Sequence, residues 1–484
     1  MKLFEMLEGV DYDLLQGADV DIENIVIDSR AVKQGDVFIC IEGLSVDGHS
    51  FIDGALKAGA AAIVLGKDIA LQAISGVTVV KTQNTRAAMS TMAGNLYGWP
   101  GKSFPLMGVT GTNGKTSCAY FLESILERAG KSVGLIGTVG VKMGDVPLDI
   151  KFDTSTTPDP LHLQQIFGKM RDMGAEGAVM EVSSHALEFR KMEGHKFAVS
   201  IFTNLTQDHL DLHGTMDNYA RAKARLFELS DISVINIDDE YGEFMARHAA
   251  GEVITYSVHK ASDLQALEVN CTNEGVSFKV KLDNKLVNFE IPIPGRFTVY
   301  NALGVIGAAL ALKVPVPTIQ GALGELEGVP GRIQSIPNDK EIGIYVDYAH
   351  TPDSLENILT SVREFTSGKL IVVFGCGGDR DRDKRPMMGE IASRLADFSV
   401  ITSDNPRTED PQVILDEVEA GMGFLNSGSI KLVDRKEAIA HAISMAVKGD
   451  SVVIAGKGHE TYQIFADKTI HFDDAHEAMQ ALKR

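Results

Sequence analysis

Residues 104–117 read Phe104-Pro105-Leu106-Met107-Gly108-Val109-Thr110-Gly111-Thr112-Asn113-Gly114-Lys115-Thr116-Ser117. A short apolar run, suited to one buried strand, leads into a glycine loop, a lysine and two hydroxyls. Without side chains at Gly111 and Gly114, backbone N–H groups along Thr112 and Asn113 can face phosphate oxygens. Lys115 brings charge to the β and γ phosphates, and the Thr116 hydroxyl, with Ser117 beside it, suits Mg²⁺. Cys118, Leu122, Ile125, Leu126 and Ala129 then recur on one helical face, and Gly130 is a stop signal. The full G-x-x-x-x-G-K-[ST] pattern is not met, because Val109 stands where its first glycine belongs. An ordinary turn with a surface lysine would explain any one of these residues. Strand, loop, lysine, hydroxyl and helix together point to a user of nucleoside triphosphate, without naming the reaction.

The rest of the chain narrows the class. With 484 residues it is too long for one ordinary core, and about three domains are expected. A net charge of −20 argues against nucleic-acid binding and against an anionic membrane surface, both of which need a basic footprint. The start, Met1-Lys2-Leu3-Phe4-Glu5-Met6-Leu7-Glu8-Gly9, carries acids and no long apolar run, so it does not read as a secretory leader. No stretch of about 18 apolar residues predicts a transmembrane helix. Cys40, Cys118, Cys271 and Cys376 are scattered without a C-x-x-C pair, as expected of reduced thiols in a cytoplasmic protein rather than a zinc site.

Three segments follow from the punctuation. Residues 1–98 read as a small α/β domain, with short strands at Ile25-Val26-Ile27, Val37-Phe38-Ile39 and Ala62-Ile63-Val64-Leu65 and a helix over 51–58. Trp99-Pro100-Gly101-Lys102 ends it. Residues 99–330 alternate strand and helix patterns, predicting a central P-loop-type, mainly parallel sheet with an antiparallel elaboration over 253–293. Gly328-Val329-Pro330-Gly331-Arg332 breaks the pattern, and residues 331–484 read as a doubly wound, Rossmann-like α/β domain.

Polar residues gather where parallel strands end, the usual ligand edge of such sheets. Glu181 closes one strand and precedes Ser183-Ser184-His185; Thr203-Asn204-Leu205-Thr206-Gln207-Asp208-His209 follows the next. An acid and a histidine there could hold Mg²⁺ beside Thr116, although imidazole is an unusual magnesium ligand, and helix capping by Ser183, Ser184 and Asp208 explains the same residues. Lys223 lies on an amphipathic helix, where a solvated lysine is the ordinary reading and a lysine carbamylated by CO₂ the sharper one; spacing does not choose. In the last segment four loops follow strands: Asp347-Tyr348-Ala349-His350-Thr351-Pro352, Gly375-Cys376-Gly377-Gly378-Asp379-Arg380, Asp404-Asn405-Pro406-Arg407 and Gly456-Lys457-Gly458-His459-Glu460. Their arginines suit carboxylate or phosphate, and their acids suit an ammonium or ribose hydroxyls.

In order, residues 111–117, Glu181-Val182-Ser183-Ser184-His185, Thr203-Asn204-Leu205, Asp208-His209-Leu210-Asp211, Tyr219 with Ala222-Lys223, Asn301, Gly331-Arg332 and Asp347-Tyr348-Ala349-His350-Thr351-Pro352 resemble the Mur ligase family. The N-terminal Asp28-Ser29-Arg30 and the late loops narrow the resemblance to the member that adds meso-2,6-diaminopimelate. It implies an ATP-dependent acid–amino-acid ligase of peptidoglycan precursor synthesis. ATP would phosphorylate the D-glutamate side-chain carboxylate of UDP-N-acetylmuramoyl-L-alanyl-D-glutamate. The diaminopimelate amine would then displace phosphate, leaving an amide and ADP.

The resemblance also implies residue roles. Lys115, His209 and Lys223 would serve catalysis. Thr116, Glu181, His209 and a CO₂-derived carbamate on Lys223 would hold Mg²⁺. Residues 111–117 with Asn301, Arg332 and Asp347 would bind ATP. Ile27, Ser29, the loop of Leu44, Ser45 and Val46, and Ser155, Thr156, Thr157, Ser183 and Lys191 would contact the UDP-sugar dipeptide. Relatives carry Gln-x-Arg where this chain has Phe189-Arg190-Lys191, and Lys191 keeps the charge without the guanidinium fork. Arg407 would pair with the far carboxylate of diaminopimelate, within a pocket completed by Arg380, Asp404, Asn405, Pro406, Gly456 and Glu460. Two other readings fit part of the pattern: a lysine-adding member, and a regulator that uses ATP as a switch without forming a bond. No oligomeric state is expected from the sequence.

Overall fold

The structure is a computed structural model describing residues 1–43, 46–70, 74, 76–150, 156–423 and 428–483. Leu44, Ser45 and Ser155, expected in the sugar-nucleotide site, lie outside the described residues.

Strand Leu106–Thr110 is buried along its whole length, as a near-continuous apolar run demands of a central parallel strand. It pairs in parallel with Gly177–Glu181 on one side and Phe197–Phe202 on the other. From Leu106–Thr110 the chain passes through helix Lys115–Arg128 to Val133–Gly137. That strand lies one place beyond Gly177–Glu181, so the chain later returns to fill the gap. From Gly177–Glu181 the chain then crosses to Phe197–Phe202 on the other side of Leu106–Thr110, so the winding reverses there and a crevice opens at the carboxyl end of Leu106–Thr110. Cys118, Leu122, Ile125 and Leu126 anchor the following helix on the sheet, and Leu122, with no exposed surface, would cost about 2–5 kcal/mol if cut to Ala.

This sheet has eleven strands. Ser230–Asn236 and Glu252–Ser257 extend it in parallel beyond Phe197–Phe202. The antiparallel elaboration expected over 253–293 begins only later, with Leu264–Cys271, Val276–Leu282 and Lys285–Ile291. Glu252–Ser257 follows helix Gly242–His248 and so returns as a crossover strand. Helix Arg296–Ala311, almost wholly apolar, lies buried against these strands.

The first sheet orders its strands Tyr12–Gln16, Thr78–Thr82, Ala62–Leu65, Val37–Ile39, Ile25–Val26, all parallel except the first. The last sheet runs Gln334–Ser335, Gly343–Asp347, Ser451–Ala455, Leu370–Phe374, Phe398–Thr402, Gly428–Leu432, parallel except for the first strand. Its residues alternate between two cores. Val372, Phe374 and Val453 meet Leu359, Met388 and Leu415, whereas Ile371, Val373 and Val452 meet Ile439, Ala442 and Ala478. Helices thus cover both faces, the doubly wound arrangement expected. Parallel pairing also puts the carboxyl ends of Gly343–Asp347, Leu370–Phe374, Phe398–Thr402 and Ser451–Ala455 on one edge.

Among the described residues no helix is long and apolar enough to cross a membrane. Cys40, Cys118 and Cys376 are buried, and all four cysteines are free thiols.

Candidate active site

The phosphate loop closes between two left-handed glycines. Gly114 (φ 84°) stands immediately before helix Lys115–Arg128, and a Cβ there would come within 2.5 Å of Asn301 Oδ1. At Gly111 (φ 153°) a Cβ would come within 1.8 Å of Thr203 Oγ1. Only glycine lets the backbone lie this close to the neighbouring loop. Asn204 holds the loop from outside, its Oδ1 accepting from Asn113 N at 2.9 Å. Lys115 Nζ donates to the carbonyls of Gly111 (2.9 Å) and Thr112 (2.8 Å).

A carboxylate waits one turn away. Glu181, buried at the end of its strand, accepts from Thr116 Oγ1 (3.0 Å), Thr138 N (2.8 Å) and Thr138 Oγ1 (3.1 Å). Lys223, the solvated lysine of the ordinary reading, is only 1% exposed. The helix Met216–Glu228 turns it inward, where Nζ donates to Gly111 O at 2.8 Å and lies 4.6 Å from the Tyr219 ring centroid. Burial, and then the charge of Lys115, hold its pKa well below the ordinary lysine value, and burial lowers Lys115 too. His209 (φ 51°) sits on the rim, its ring 4.7 Å from that of His185 and its Nε2 3.3 Å from Asp208 Oδ2; burial lowers its pKa. Of the three residues read as caps, only Ser183 caps a helix, its Oγ accepting from Ala186 N at the start of Ser184–Glu188. The Ser184 hydroxyl lies 3.1 Å from His213 Nε2, and Asp208 Oδ1 accepts from His209 N without capping helix Leu210–His213.

Thr116, Glu181 and His209 line one cavity of about 300 Å³. The Thr116 hydroxyl and the Glu181 carboxylate are oxygen donors of the kind that would hold Mg²⁺, and the His209 imidazole is a less usual ligand beside them. Among the described residues no three His, Cys, Asp or Glu side chains form a metal cage.

The opposite wall comes from the C-terminal sheet. Arg332, Tyr348, His350, Thr351 and Asp353 face the phosphate loop across the same cavity. A second cavity of about 380 Å³ shares Asn113, Gly114, Ser117 and Arg332 with the first and adds Asn301, Phe297 and Asp347. The Asp347 carboxylate accepts from Ile333 N (2.8 Å) and Ala349 N (2.9 Å), and burial raises its pKa. Arg332 lies 5.0 Å from the Tyr348 ring centroid, with its Nε buried and unbonded.

Further along the C-terminal edge, Arg407 holds a left-handed backbone (φ 52°) tied by its N–H to Ile464 O at 3.1 Å. Its Nη1 donates to Gly378 O at 2.8 Å, and among the described residues no carboxylate pairs with it. Asn405 Nδ2 donates to Glu460 Oε2 at 3.0 Å. Asp404 Oδ2 lies where a Cβ on Gly456 would come within 2.6 Å, which brings these two loops into contact. Pro406 is buried beside them, whereas Arg380 is exposed and donates to Asp379 O at 3.2 Å.

On the N-terminal side, Thr156, Thr157, Ser183 and Lys191 cluster around Glu181. Thr156 Oγ1 is 3.2 Å from Thr138 Oγ1, and Thr157 Oγ1 donates to Glu181 O at 3.0 Å. Lys191 Nζ pairs with Asp159 at 2.8 Å and donates to Thr157 O at 3.2 Å. Ile27 and Val46 are exposed, and Ser29 is half-buried, its side chain 3.8 Å from where a Cβ on Gly54 would stand.

Profiles of the Mur ligase family match residues 21–95, 109–309 (the middle domain) and 331–458 (the glutamate ligase domain). The chain belongs to the Mur ligase family. It is 45% identical over 482 residues, covering 98% of each chain, to UDP-N-acetylmuramoyl-L-alanyl-D-glutamate--2,6-diaminopimelate ligase of Clostridium perfringens (strain 13 / Type A). To the ligase of the same name in Clostridioides difficile (strain 630) it is 44% identical over 489 residues, covering 100% of each. A solved structure of a ligase of that name superposes with a TM-score of 0.69 at 32% identity, over 96% of this chain and 95% of the other.

Several residues at this Mur ligase cleft escape sequence reading. Thr138, after strand Val133–Gly137, is a double donor to Glu181; its place at a strand end was the available signal. Arg86, on helix Thr85–Tyr97, stacks 4.1 Å from the Phe189 ring centroid and donates to Glu42 O at 2.8 Å, seaming the first sheet to the second. Nothing local marks Arg86. Lys457 reads as a loop lysine and has no exposed surface.

Proposed function

We propose that this Mur ligase couples ATP cleavage to amide formation, joining 2,6-diaminopimelate to the D-glutamate side-chain carboxylate of UDP-N-acetylmuramoyl-L-alanyl-D-glutamate. One observation carries the reading: the phosphate loop with its Thr116–Glu181 pair opens onto the same cleft as Arg332 and the 348–353 loop of the C-terminal sheet. Three units serve the three substrates: residues 1–98 the uridine nucleotide, 99–330 ATP, and 331–484 the amino acid.

A carboxylate is a poor electrophile, and its γ-phosphorylation supplies the missing leaving group. Negative charge crowds as carboxylate meets phosphate, and Lys115 with the loop N–H groups neutralises it in place. Mg²⁺, with Thr116, Glu181 and His209 as its protein ligands, would supply Lewis-acid stabilisation of the phosphate oxygens. Lys223, buried and biased toward the neutral amine, is suited to carbamylation by CO₂, which would turn a second cation at Gly111 O into an anion for metal. Asn301, Arg332 and Asp347 hold the nucleotide. Ile27, Ser29, residues 44–46, Ser155, Thr156, Thr157, Ser183 and Lys191 hold the UDP-sugar dipeptide. Arg407 selects the far carboxylate of diaminopimelate, with Arg380, Asp404, Asn405, Pro406, Gly456 and Glu460 around it. A neutral substrate amine attacks the acyl phosphate carbonyl, a C–N bond forms, the amine loses its proton, and the C–O bond to phosphate breaks. The reaction is cytoplasmic in this reading.

Phosphate release measured with the UDP-linked dipeptide, ATP and Mg²⁺, and with either diaminopimelate or lysine, tests the proposal. Release with diaminopimelate is expected; release with lysine alone would reassign the amino acid, and release with neither would refute the ligase assignment.

A further inference from the structure

Lys457 is a buried cation that no step above uses. Its exposure is 0%, and its Nζ donates to Glu460 Oε2 at 3.0 Å and Asn405 Oδ1 at 3.2 Å, 5.3 Å from the Tyr462 ring centroid. An ammonium withdrawn from water is costly unless paired and hydrogen-bonded, so a lysine persists here only where its partners need it. The turn does not need it: Gly456 (φ 122°) and Gly458 (φ 53°) on either side already provide the left-handed backbone.

Its partners, Asn405 and Glu460, are two of the residues assigned above to the amino-acid pocket. Asn405 Nδ2 donates to the same Glu460 Oε2, and Asn405 Oδ1 also accepts from Ile464 N at 3.0 Å. Lysine, asparagine and glutamate therefore close a three-membered ring of hydrogen bonds. The ring joins the loop after Phe398–Thr402, the loop after Ser451–Ala455 and strand Tyr462–Ile464. Arg407 lies two residues beyond Asn405 on the first of these loops, its N–H bonded to Ile464 O.

We propose that Lys457 is a positioning residue for the amino-acid substrate: it locks the Glu460 carboxylate in the orientation that receives the substrate ammonium, opposite the carboxylate held by Arg407, while Asn405 is held independently by Ile464 N. With Oε2 committed to two protein donors, the carboxylate cannot rotate or swing toward the arginine, and its other oxygen stays directed by the ring. The inference rests on the ligase reading and deepens it.

The test compares Lys457→Met, close in length and neutral, with Glu460→Gln and the double variant Lys457→Met/Glu460→Gln, using full-length enzyme and all three substrates. Lys457→Met is expected to raise the KM for diaminopimelate about tenfold or more while leaving the KM values for ATP and the UDP-linked dipeptide within about twofold. Because Lys457 acts through Glu460, adding Lys457→Met to Glu460→Gln should change the diaminopimelate KM by less than about twofold. The double variant leaves no unpaired buried charge, so it decides the matter even if Lys457→Met alone fails to fold. An unchanged diaminopimelate KM in Lys457→Met, a parallel rise of all three KM values, or a further tenfold loss in the double variant over Glu460→Gln would overturn the proposal. If the wild type turns over lysine instead, the same comparison is made with lysine. Absence of turnover with either amino acid would refute the ligase reading itself, a result distinct from any of these.

Discussion

Arg407→Ala tests the contact proposed to select the amino acid. Nη1 of Arg407 is committed to Gly378 O, while Nε and Nη2 make no hydrogen bond among the described residues. Two arms of the fork are thus available to a carboxylate, and a hydrogen bond to a charged group contributes about 1.5–3 kcal/mol. The lower end of that range for both arms is about 3 kcal/mol, or a loss of roughly 100-fold in kcat/KM for diaminopimelate. The backbone contributes nothing to the difference. Arg407 already bears a Cβ at φ 52°, so alanine inherits the same left-handed strain, and the thermal midpoint should move little. Lysine, lacking the far carboxylate, should lose nothing and should gain where repulsion from the guanidinium disappears. The assay is phosphate release at varied diaminopimelate or lysine, with ATP and the UDP-linked dipeptide saturating. Unchanged kcat/KM for diaminopimelate, or an equal loss for both amino acids, would refute the reasoning.

Four other outcomes are expected. Gly114→Ala forces φ 84° on an L-residue, costing about 1–2 kcal/mol, and pushes a Cβ into Asn301 Oδ1, so ATP affinity by calorimetry should fall at least about tenfold. Lys115→Met preserves length and removes charge, and should lower kcat by about 10²–10³ with little change in thermal midpoint. Chelation of divalent metal should abolish phosphate release, and Mg²⁺ should restore it. Glu123, buried in the helix behind the phosphate loop, has its pKa pushed up by burial to about 7 despite Lys142 at 2.9 Å. An acid whose folded pKa is raised stabilises less as pH climbs from 4.5 through about 7, because ionising it inside the protein is penalised. Glu123→Gln removes that penalty and should raise stability relative to wild type at pH 8.5 but not at pH 5, by at most about 3 kcal/mol in urea unfolding; a difference independent of pH would count against it.

The phosphate loop was legible because everything that defines it is adjacent in the chain. Strand, left-handed glycines and helix start lie within residues 106–117, and backbone conformation follows from neighbouring residue types. The strand-end loops were legible for a related reason: apolar runs locate strands, and parallel pairing puts their carboxyl ends on one edge. The short edge strand Tyr12–Gln16 was not, because an edge strand needs no continuous apolar run, and its burial pattern is mostly open. Glu252–Ser257 read as antiparallel because its alternation is the same for either direction; only the preceding helix makes it a crossover.

Cation burial divides the two sources of information. The sequence alone pointed to a phosphate loop, three α/β segments and a resemblance to the Mur ligase family, all written in local pattern or in motif order. Tertiary structure alone decided which lysines and arginines leave water. Lys223 meets Gly111 O across 112 positions of chain, Lys457 meets Asn405 across 52, and Arg86 finds Phe189 on a different sheet's connection. A lysine on an amphipathic helix or in a glycine turn looks solvated from its neighbours. Whether it is depends on desolvation and on distant acceptors, and those exist only once the sheets have packed.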